Sequence, residues 1–256
     1  MIKFSTPLFF AFFTVTFMAG CARAHTQARQ TVTNVLLVHG AFAASSSWNK
    51  VIPLLEAKGL HVVTVNIPLT SFDEDVAVTR KAIADETGPV LLVGHSYGGS
   101  VITEAGDDPK VAGLVYVAAY APDKGESTEA SGAAFPKMAS LAEFEKAPDG
   151  LISLSNKGIS EYFAPDLSTA EQNGVFASQI PLAAASLGEK LSNAAWETKP
   201  SWYIVSTDDQ IINPAQEKSM AEHIGAETTD IPSSHVVMLS HPKQTATVII
   251  QAAAGK

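Results

Sequence analysis

The sequence has a single cysteine, Cys21, so no disulfide can form within the chain. Charged residues make up only 17% of its 256 residues, and an excess of acids gives a formal net charge of −9. Lysine and arginine form no cluster, which argues against the basic surface that nucleic-acid-binding proteins present. The sequence also lacks clustered metal ligands and the Gly-x-Gly-x-x-Gly pattern of dinucleotide-binding proteins. We therefore expect neither a metal nor an organic cofactor.

What remains is the composition of a folded protein, with 46% apolar residues. The length is enough for one large hydrophobic core and too short for two domains of ordinary size. We therefore predict a single domain over residues 30–256, preceded by a separate N-terminal segment over residues 1–24.

The N-terminal segment is typical of an export signal. A lysine precedes an apolar stretch over residues 7–18, and small residues follow it. Two processing sites are open: residues 18–21, Met-Ala-Gly-Cys, resemble a bacterial lipoprotein signal, whereas residues 22–24, Ala-Arg-Ala, fit ordinary secretory cleavage. We expect a periplasmic or secreted protein that contacts a membrane only if Cys21 is lipidated.

From Val32 onward, short apolar runs alternate with longer amphipathic segments. Strands that are apolar without alternation, separated by helices, are typical of a parallel sheet covered on both faces. The predicted strands cover residues 35–38, 62–65, 90–93, 111–118, 202–206 and 228–231. The predicted helices cover residues 45–58, 72–86, 99–105, 215–224 and 243–253.

Residues 123–190 interrupt this alternation, because they contain no convincing core strand and are broken by prolines. Apolar residues recur there at helical spacing, as at Phe135, Met138, Leu141 and Phe144. The pattern predicts a helical cap inserted after a sheet strand. A long, partly disordered loop is the alternative, but several aromatic side chains in the segment require burial.

The strongest motif follows the apolar run of residues 90–93. Residues 94–98 read Gly-His-Ser-Tyr-Gly, and a buried strand that ends in Gly-x-Ser-x-Gly before a helix is a nucleophile elbow. The two glycines leave room for a turn that lifts the serine above the sheet edge. The motif predicts Ser96 as the nucleophile and the backbone N–H of Tyr97 as an oxyanion donor.

A serine needs a base and an acid that orients the base, and in this architecture they follow it in the order acid, then histidine. His235 lies in the loop that follows the predicted strand at residues 228–231, which makes it the candidate base. The candidate acids are Asp209, Asp208 and Asp123, each beyond the end of a predicted strand, with Asp209 favoured.

The second oxyanion donor is expected in the loop after the first strand. Residues 39–42 read His-Gly-Ala-Phe there, and Ala41 is the preferred donor, with Phe42 as the alternative.

In these motifs the chain resembles the α/β-hydrolase family from Val35 to the C-terminus. The segments at residues 48–55 and 116–122 are similar to the small serine esterase branch that includes plant methyl esterases and hydroxynitrile lyases. The resemblance implies the α/β-hydrolase fold, a mostly parallel sheet with helices on both faces and a helical cap. The family's usual β-hairpin has no room before Val35, so we expect about six strands.

The resemblance also implies a role for each matching residue: Ser96 as nucleophile, His235 as base, Asp209 as acid, and Ala41 and Tyr97 as oxyanion donors. Two positions depart from the lyases, which have lysine after the catalytic histidine and threonine after the first histidine of the strand loop. Here these positions are Val236 and Gly40. The missing lysine leaves no cation for a departing cyanide, which argues against lyase activity.

Together these features predict a serine hydrolase that cleaves small to medium, largely uncharged carboxylic esters through an acyl-enzyme on Ser96. The expected partner is thus a small-molecule ester. Carbon–carbon bond hydrolysis or perhydrolysis on the same triad is one alternative. A ligand receptor without catalytic activity is another, and the complete triad argues against it.

Overall fold

The computed structural model describes residues 1–2 and 32–256. The strands are β1 (Asn34–Val38), β2 (His61–Val65), β3 (Val90–Ser96), β4 (Val111–Ala119), β5 (Phe144–Lys146), β6 (Leu151–Leu154), β7 (Leu182–Ala183), β8 (Ser201–Ser206) and β9 (Glu227–Ile231). The α-helices are α1 (Ile52–Glu56), α2 (Phe72–Asp85), α3 (Tyr97–Ala105), α4 (Thr128–Ser131), α5 (Thr169–Ser178), α6 (Pro214–His223), α7 (Val237–Ser240) and α8 (Pro242–Ala253).

Six of these strands form one parallel sheet in the order β2-β1-β3-β4-β8-β9. The central strands β1 and β3 are buried along their whole length, whereas the edge strand β9 is exposed at all but its last residue. Continuous apolar runs identify the central strands because both of their faces are covered. The predicted α/β fold with about six strands is confirmed.

The helices that cover the sheet pack as two groups, α1 with α8 and α2 with α3. The predicted helix at residues 45–58 is in fact two pieces, a 3-10 turn at Ser45–Trp48 and the short helix α1. Pro53 explains the division: it lies in the first turn of α1, and a proline has no N–H to continue a helix that began earlier.

The insertion between β4 and β8 is helical only in part. Besides α4, α5 and a π-helical turn at Gly158–Phe163, it has a three-stranded antiparallel sheet in the order β5-β6-β7. Phe144, predicted on a helix face, pairs instead with Leu154 across β5 and β6. The connection between these strands contains Asp149-Gly150, and Gly150 has φ +88°. Asp-Gly is a turn signal, and the helical spacing of apolar residues hid it.

Backbone hydrogen bonds close the base of this insertion. Gly125 N–H donates to the carbonyl of Leu191, and Leu191 N–H donates to the carbonyl of Glu126, each over 2.8 Å. Ser127 and Lys190 form an antiparallel bridge beside them. The chain therefore enters and leaves the cap at one point.

The predicted export signal, with Cys21, lies outside the described residues apart from Met1 and Ile2. Among the residues that the structure describes, none of the helices combines the length and the apolar character needed to cross a bilayer.

Candidate active site

The turn between β3 and α3 has the backbone shape of a nucleophile elbow. Ser96 adopts φ 52° and ψ −124°, a conformation that is strained for a residue with a side chain. A Cβ atom on Gly94 would lie 2.5 Å from the carbonyl oxygen of Gly98, and one on Gly98 would lie 2.6 Å from that of His39. The elbow therefore requires glycine at both positions. A Cβ atom on Gly40 would lie 2.7 Å from the Cβ of Ser96.

Ser96, His235 and Asp209 form one hydrogen-bonded chain. The Ser96 Oγ lies 2.8 Å from His235 Nε2, and His235 Nδ1 lies 2.5 Å from Asp209 Oδ2. Asp209 Oδ1 accepts the backbone N–H groups of Ile211 and Ile212. With its carboxylate so held, Asp209 is set to accept the N–H of His235 Nδ1, which leaves Nε2 free to accept the serine proton.

The structure separates the three candidate acids. Asp209 is 2% exposed and contacts His235, whereas Asp208 is exposed. Asp123 pairs with His223 at 2.8 Å, on the exposed side of the cap's base. Of the three, the structure brings only Asp209 to His235.

The two candidate oxyanion donors, Ala41 and Tyr97, line the same cavity as Ser96 and His235. Among the described residues, neither Ala41 nor Phe42 donates its backbone N–H to a protein acceptor. Phe42 has φ 58°, which gives the loop after β1 its sharp turn. The loop therefore presents unpaired N–H groups close to the serine, as an oxyanion hole requires.

His95, the second residue of the elbow motif, contacts the candidate base. Its Nε2 donates to the carbonyl oxygen of His235 over 2.9 Å, and the two rings lie 4.7 Å apart. Burial, followed by the proximity of His235, lowers the pKa of His95 well below its ordinary value. A neutral His95 thus fixes the backbone of the candidate base, a contact that sequence spacing does not indicate.

Asp166, in the cap, is a second residue that the sequence analysis missed. Its carboxylate accepts the backbone N–H of Ser234 over 2.9 Å and the Ser234 hydroxyl over 2.5 Å. The cap therefore holds the loop that carries His235. Nothing in the sequence marks Asp166 among the other acidic residues of the cap.

The hydroxyl of Ser96 opens into a cavity of about 540 Å³ between the cap and the sheet edge. Glu129 and Lys137 are the two lining residues with formal charges at neutral pH. Its apolar lining from the cap includes Phe135, Met138, Leu141, Phe144, Ile152 and Leu182.

Within residues 1–2 and 32–256, no group of three or more His, Cys, Asp or Glu side chains is arranged to hold a metal ion.

The chain is similar to known proteins in sequence and in fold. A family model described as "Alpha/beta hydrolase family" matches residues 35–248. A pyrethroid hydrolase of Sphingobium wenxiniae is 26% identical over 247 residues, covering 86% of this chain and 87% of that protein. Methylesterase 2 of Arabidopsis thaliana is 26% identical over 220 residues, covering 75% and 84%. The crystal structure of a pyrethroid hydrolase from Sphingobium faniae superposes with a TM-score of 0.74 at 23% identity, covering 87% of this chain and 98% of that one.

Proposed function

Because the chain belongs to the alpha/beta hydrolase family, we propose that it is a serine esterase for small to medium, largely uncharged carboxylic esters, acting through an acyl-enzyme on Ser96. The observation that carries the proposal is the continuous hydrogen-bonded relay from Ser96 through His235 to Asp209. The related pyrethroid hydrolase and methylesterase support ester hydrolysis as the reaction class.

The first half of the reaction forms the acyl-enzyme. Ser96 Oγ attacks the ester carbonyl carbon while its proton passes to His235 Nε2. Asp209 accepts the Nδ1–H bond and stabilises the imidazolium that results. The N–H groups of Ala41 and Tyr97 stabilise the negative oxygen of the tetrahedral intermediate, which collapses as His235 returns the proton to the departing alcohol.

The second half releases the acid. Water enters the position that the alcohol has left, and His235 Nε2 takes its proton as the water oxygen attacks the acyl carbon. The second intermediate collapses when the bond from Ser96 Oγ to carbon breaks and the proton returns to Ser96. The carboxylic acid then leaves the cavity with the free enzyme restored.

The cavity supports the proposed substrate class. Its volume of about 540 Å³ lies in the range of pockets that hold small organic ligands. Since the walls are largely apolar, an uncharged ester gains from burial there, whereas a charged one loses hydration without a matching set of partners. Lys137 and Glu129 carry opposite charges, so the cavity has no strong preference for one sign.

A fluorophosphonate probe tests the nucleophile directly, because it phosphonylates an activated serine. We expect one adduct in the intact mass of the protein, mapped by peptide analysis to Ser96, and none on Ser96→Ala. Hydrolysis of a panel of uncharged esters should be lost in the same variant. A folded wild-type protein that takes up no probe and hydrolyses no ester would contradict the proposal.

We also propose that the chain is exported, on the sequence of residues 1–24 alone. Intact mass of the protein from fractionated cells distinguishes the two processing routes. Lipidation predicts a chain that begins at modified Cys21 and loses its membrane association in Cys21→Ser. Ordinary cleavage predicts an unmodified chain that begins after Ala24, and a full-length cytoplasmic product would contradict export.

A further inference from the structure

Glu217 is a fully buried carboxyl group on α6 that the proposed reaction does not use. Its Oε2 accepts the backbone N–H of Ser206 over 3.0 Å. Its Oε1 is buried and accepts no hydrogen bond from the residues that the structure describes. Within the same residues, Glu217 forms no ion pair with a lysine, arginine or histidine. An isolated charge is very costly to bury, so this carboxyl group favours its neutral form.

The neighbour of Glu217 is the carboxylate of the candidate triad. Ser206 donates its N–H to Glu217 and accepts the N–H of Asp209 on its carbonyl over 3.2 Å. Both side chains are sheltered from solvent, and the Glu217 carboxyl group forms a hydrogen bond with the carboxyl group of Asp209. Two carboxyl groups that share a buried site do not both ionise, so one of them holds a proton.

Hydrogen-bond donors decide which of the two is ionised, because each donor stabilises the carboxylate form. Asp209 accepts three, from His235 Nδ1 and from the N–H groups of Ile211 and Ile212. Glu217 accepts one, from Ser206. The proton therefore belongs on Glu217 and the negative charge on Asp209.

In the part of the chain that the structure describes, none of the other ionisable groups around Glu217 favours its charged form. Burial first, then the charge of Asp209 and the hydrogen bond with its side chain, raise the pKa of Glu217 well above its ordinary value, and Asp230 on β9 adds to the effect. Lys218, the adjacent cation on α6, pairs with Asp230 at 2.9 Å. Tyr203 is buried and Tyr120 half-buried nearby, and the loss of hydration raises both of their pKa values, so they stay neutral.

We propose that Glu217 is held as a neutral carboxylic acid and acts as a positioning residue for Asp209, so that the triad keeps a single buried negative charge. The inference rests on the proposed function of Ser96, His235 and Asp209. A second charge beside Asp209 would favour protonation of Asp209 itself, and a neutral Asp209 is a weaker acceptor for His235 Nδ1 and cannot stabilise the imidazolium. The neutral acid thus keeps the ionised carboxylate where it orients the base.

Infrared spectroscopy tests the protonation state without any substrate. The difference spectrum between wild type and Glu217→Gln at neutral pH should contain the C=O stretch of a protonated carboxylic acid. Glu222→Gln, on an exposed position of the same helix, should give no such band. A difference spectrum with only carboxylate bands means that Glu217 is ionised, and it overturns the proposal. This result is independent of ester hydrolysis, so it can be told apart from a failure of the proposed function.

Kinetics on the esters that wild type hydrolyses test the positioning role. Glu217→Gln replaces the neutral acid by a neutral amide that can also donate, so we expect most of kcat to remain and the midpoint of the acidic limb of kcat/KM to stay in place. Glu217→Leu removes the donor, and a misplaced Asp209 should lower kcat by about 10- to 100-fold with KM unchanged. A wild-type kcat in folded Glu217→Leu, or a shifted midpoint in Glu217→Gln, overturns the proposal. If the leucine variant does not fold, the infrared band and the glutamine variant decide.

Discussion

Tyr97 and Asp75 are joined by a buried hydrogen bond, in which the tyrosine Oη donates to Asp75 Oδ2 over 2.8 Å. Asp75 Oδ1 accepts the backbone N–H of Leu69 over 2.7 Å, and Leu69 has φ 60°. The carbonyl of Leu69 in turn accepts the N–H of Ala183 on β7 over 2.8 Å. One carboxyl group on α2 thus connects the residue after the candidate nucleophile, a strained loop residue and the cap.

This carboxyl group should make stability depend on pH. Burial is the main cause that raises the pKa of Asp75 from 3.8 to about 6. The folded protein therefore binds this proton more tightly than the unfolded chain, and the resulting stability is complete below about pH 4 and lost as the pH rises through 6. We expect it to contribute up to roughly 3 kcal/mol to the free energy of unfolding.

Urea denaturation of wild type and Asp75→Asn across this range measures the contribution. The variant should lack the loss of stability between pH 4 and 7 that this group causes. Asp73→Asn, an exposed position of the same helix, should keep the wild-type pH dependence. Equal slopes in wild type and Asp75→Asn would show that Asp75 does not titrate in this window.

Asp209→Asn should lower kcat by about 10⁴-fold, because an amide cannot stabilise the imidazolium and favours the wrong tautomer of His235. Asp208→Asn is the matched control: the residue is adjacent and exposed, so kcat should not change. Steady-state kinetics on one ester compares the two. Similar losses in both variants would contradict the assignment of Asp209 as the acid.

Ser96→Ala and Ser96→Gly should both reduce turnover by at least about 10⁴-fold, since each removes the nucleophile. They should differ in stability, because Ser96 has φ 52° and only glycine adopts such a backbone without strain. Thermal denaturation should show the glycine variant to be more stable than the alanine variant by roughly 1 kcal/mol. An alanine variant at least as stable as the glycine variant would argue that the elbow is not strained.

Gly40→Ala should reduce kcat/KM by about 10²-fold or more, because the added Cβ would lie 2.7 Å from the Cβ of Ser96 and 2.9 Å from the His95 carbonyl oxygen. Gly174→Ala is a control on α5, where an added Cβ meets no atom within 4 Å. That change should leave activity in place and improve stability slightly, as alanine favours helix more than glycine does. Wild-type activity in Gly40→Ala would show that the oxyanion loop can move away from the serine.

The sequence predicted the sheet and the elbow because both leave local patterns. Strands covered on two faces are unbroken apolar runs. The tight turn of the elbow demands glycine at position 94, and its close approach to the end of β1 demands glycine at position 98. The sequence also showed the order serine, acid, histidine. The structure brings these three residues, Ser96, Asp209 and His235, together.

Other contacts have no local pattern, because they join residues that are far apart in the chain. His95 reaches the carbonyl of a residue 140 positions away, and the partner of Asp166 is 68 positions away. Glu217 looks in the sequence like any surface acid of a helix, and only its burial on α6 sets it apart. In the cap, short strands with few β-branched residues resembled helix, so the hairpin of β5 and β6 was missed.

The closed base of the cap makes it an exchangeable unit. The chain leaves β4 and returns to its hydrogen-bonded neighbour β8, and reciprocal backbone bonds between Gly125, Glu126 and Leu191 seal the junction. Backbone bonds do not depend on side chains, so a foreign cap of different length can be grafted at this junction without a change of register in the sheet. Asp166 would have to be carried along, since it anchors the loop of the candidate base. Substrate range can thus diverge while the chemical machinery below it stays fixed.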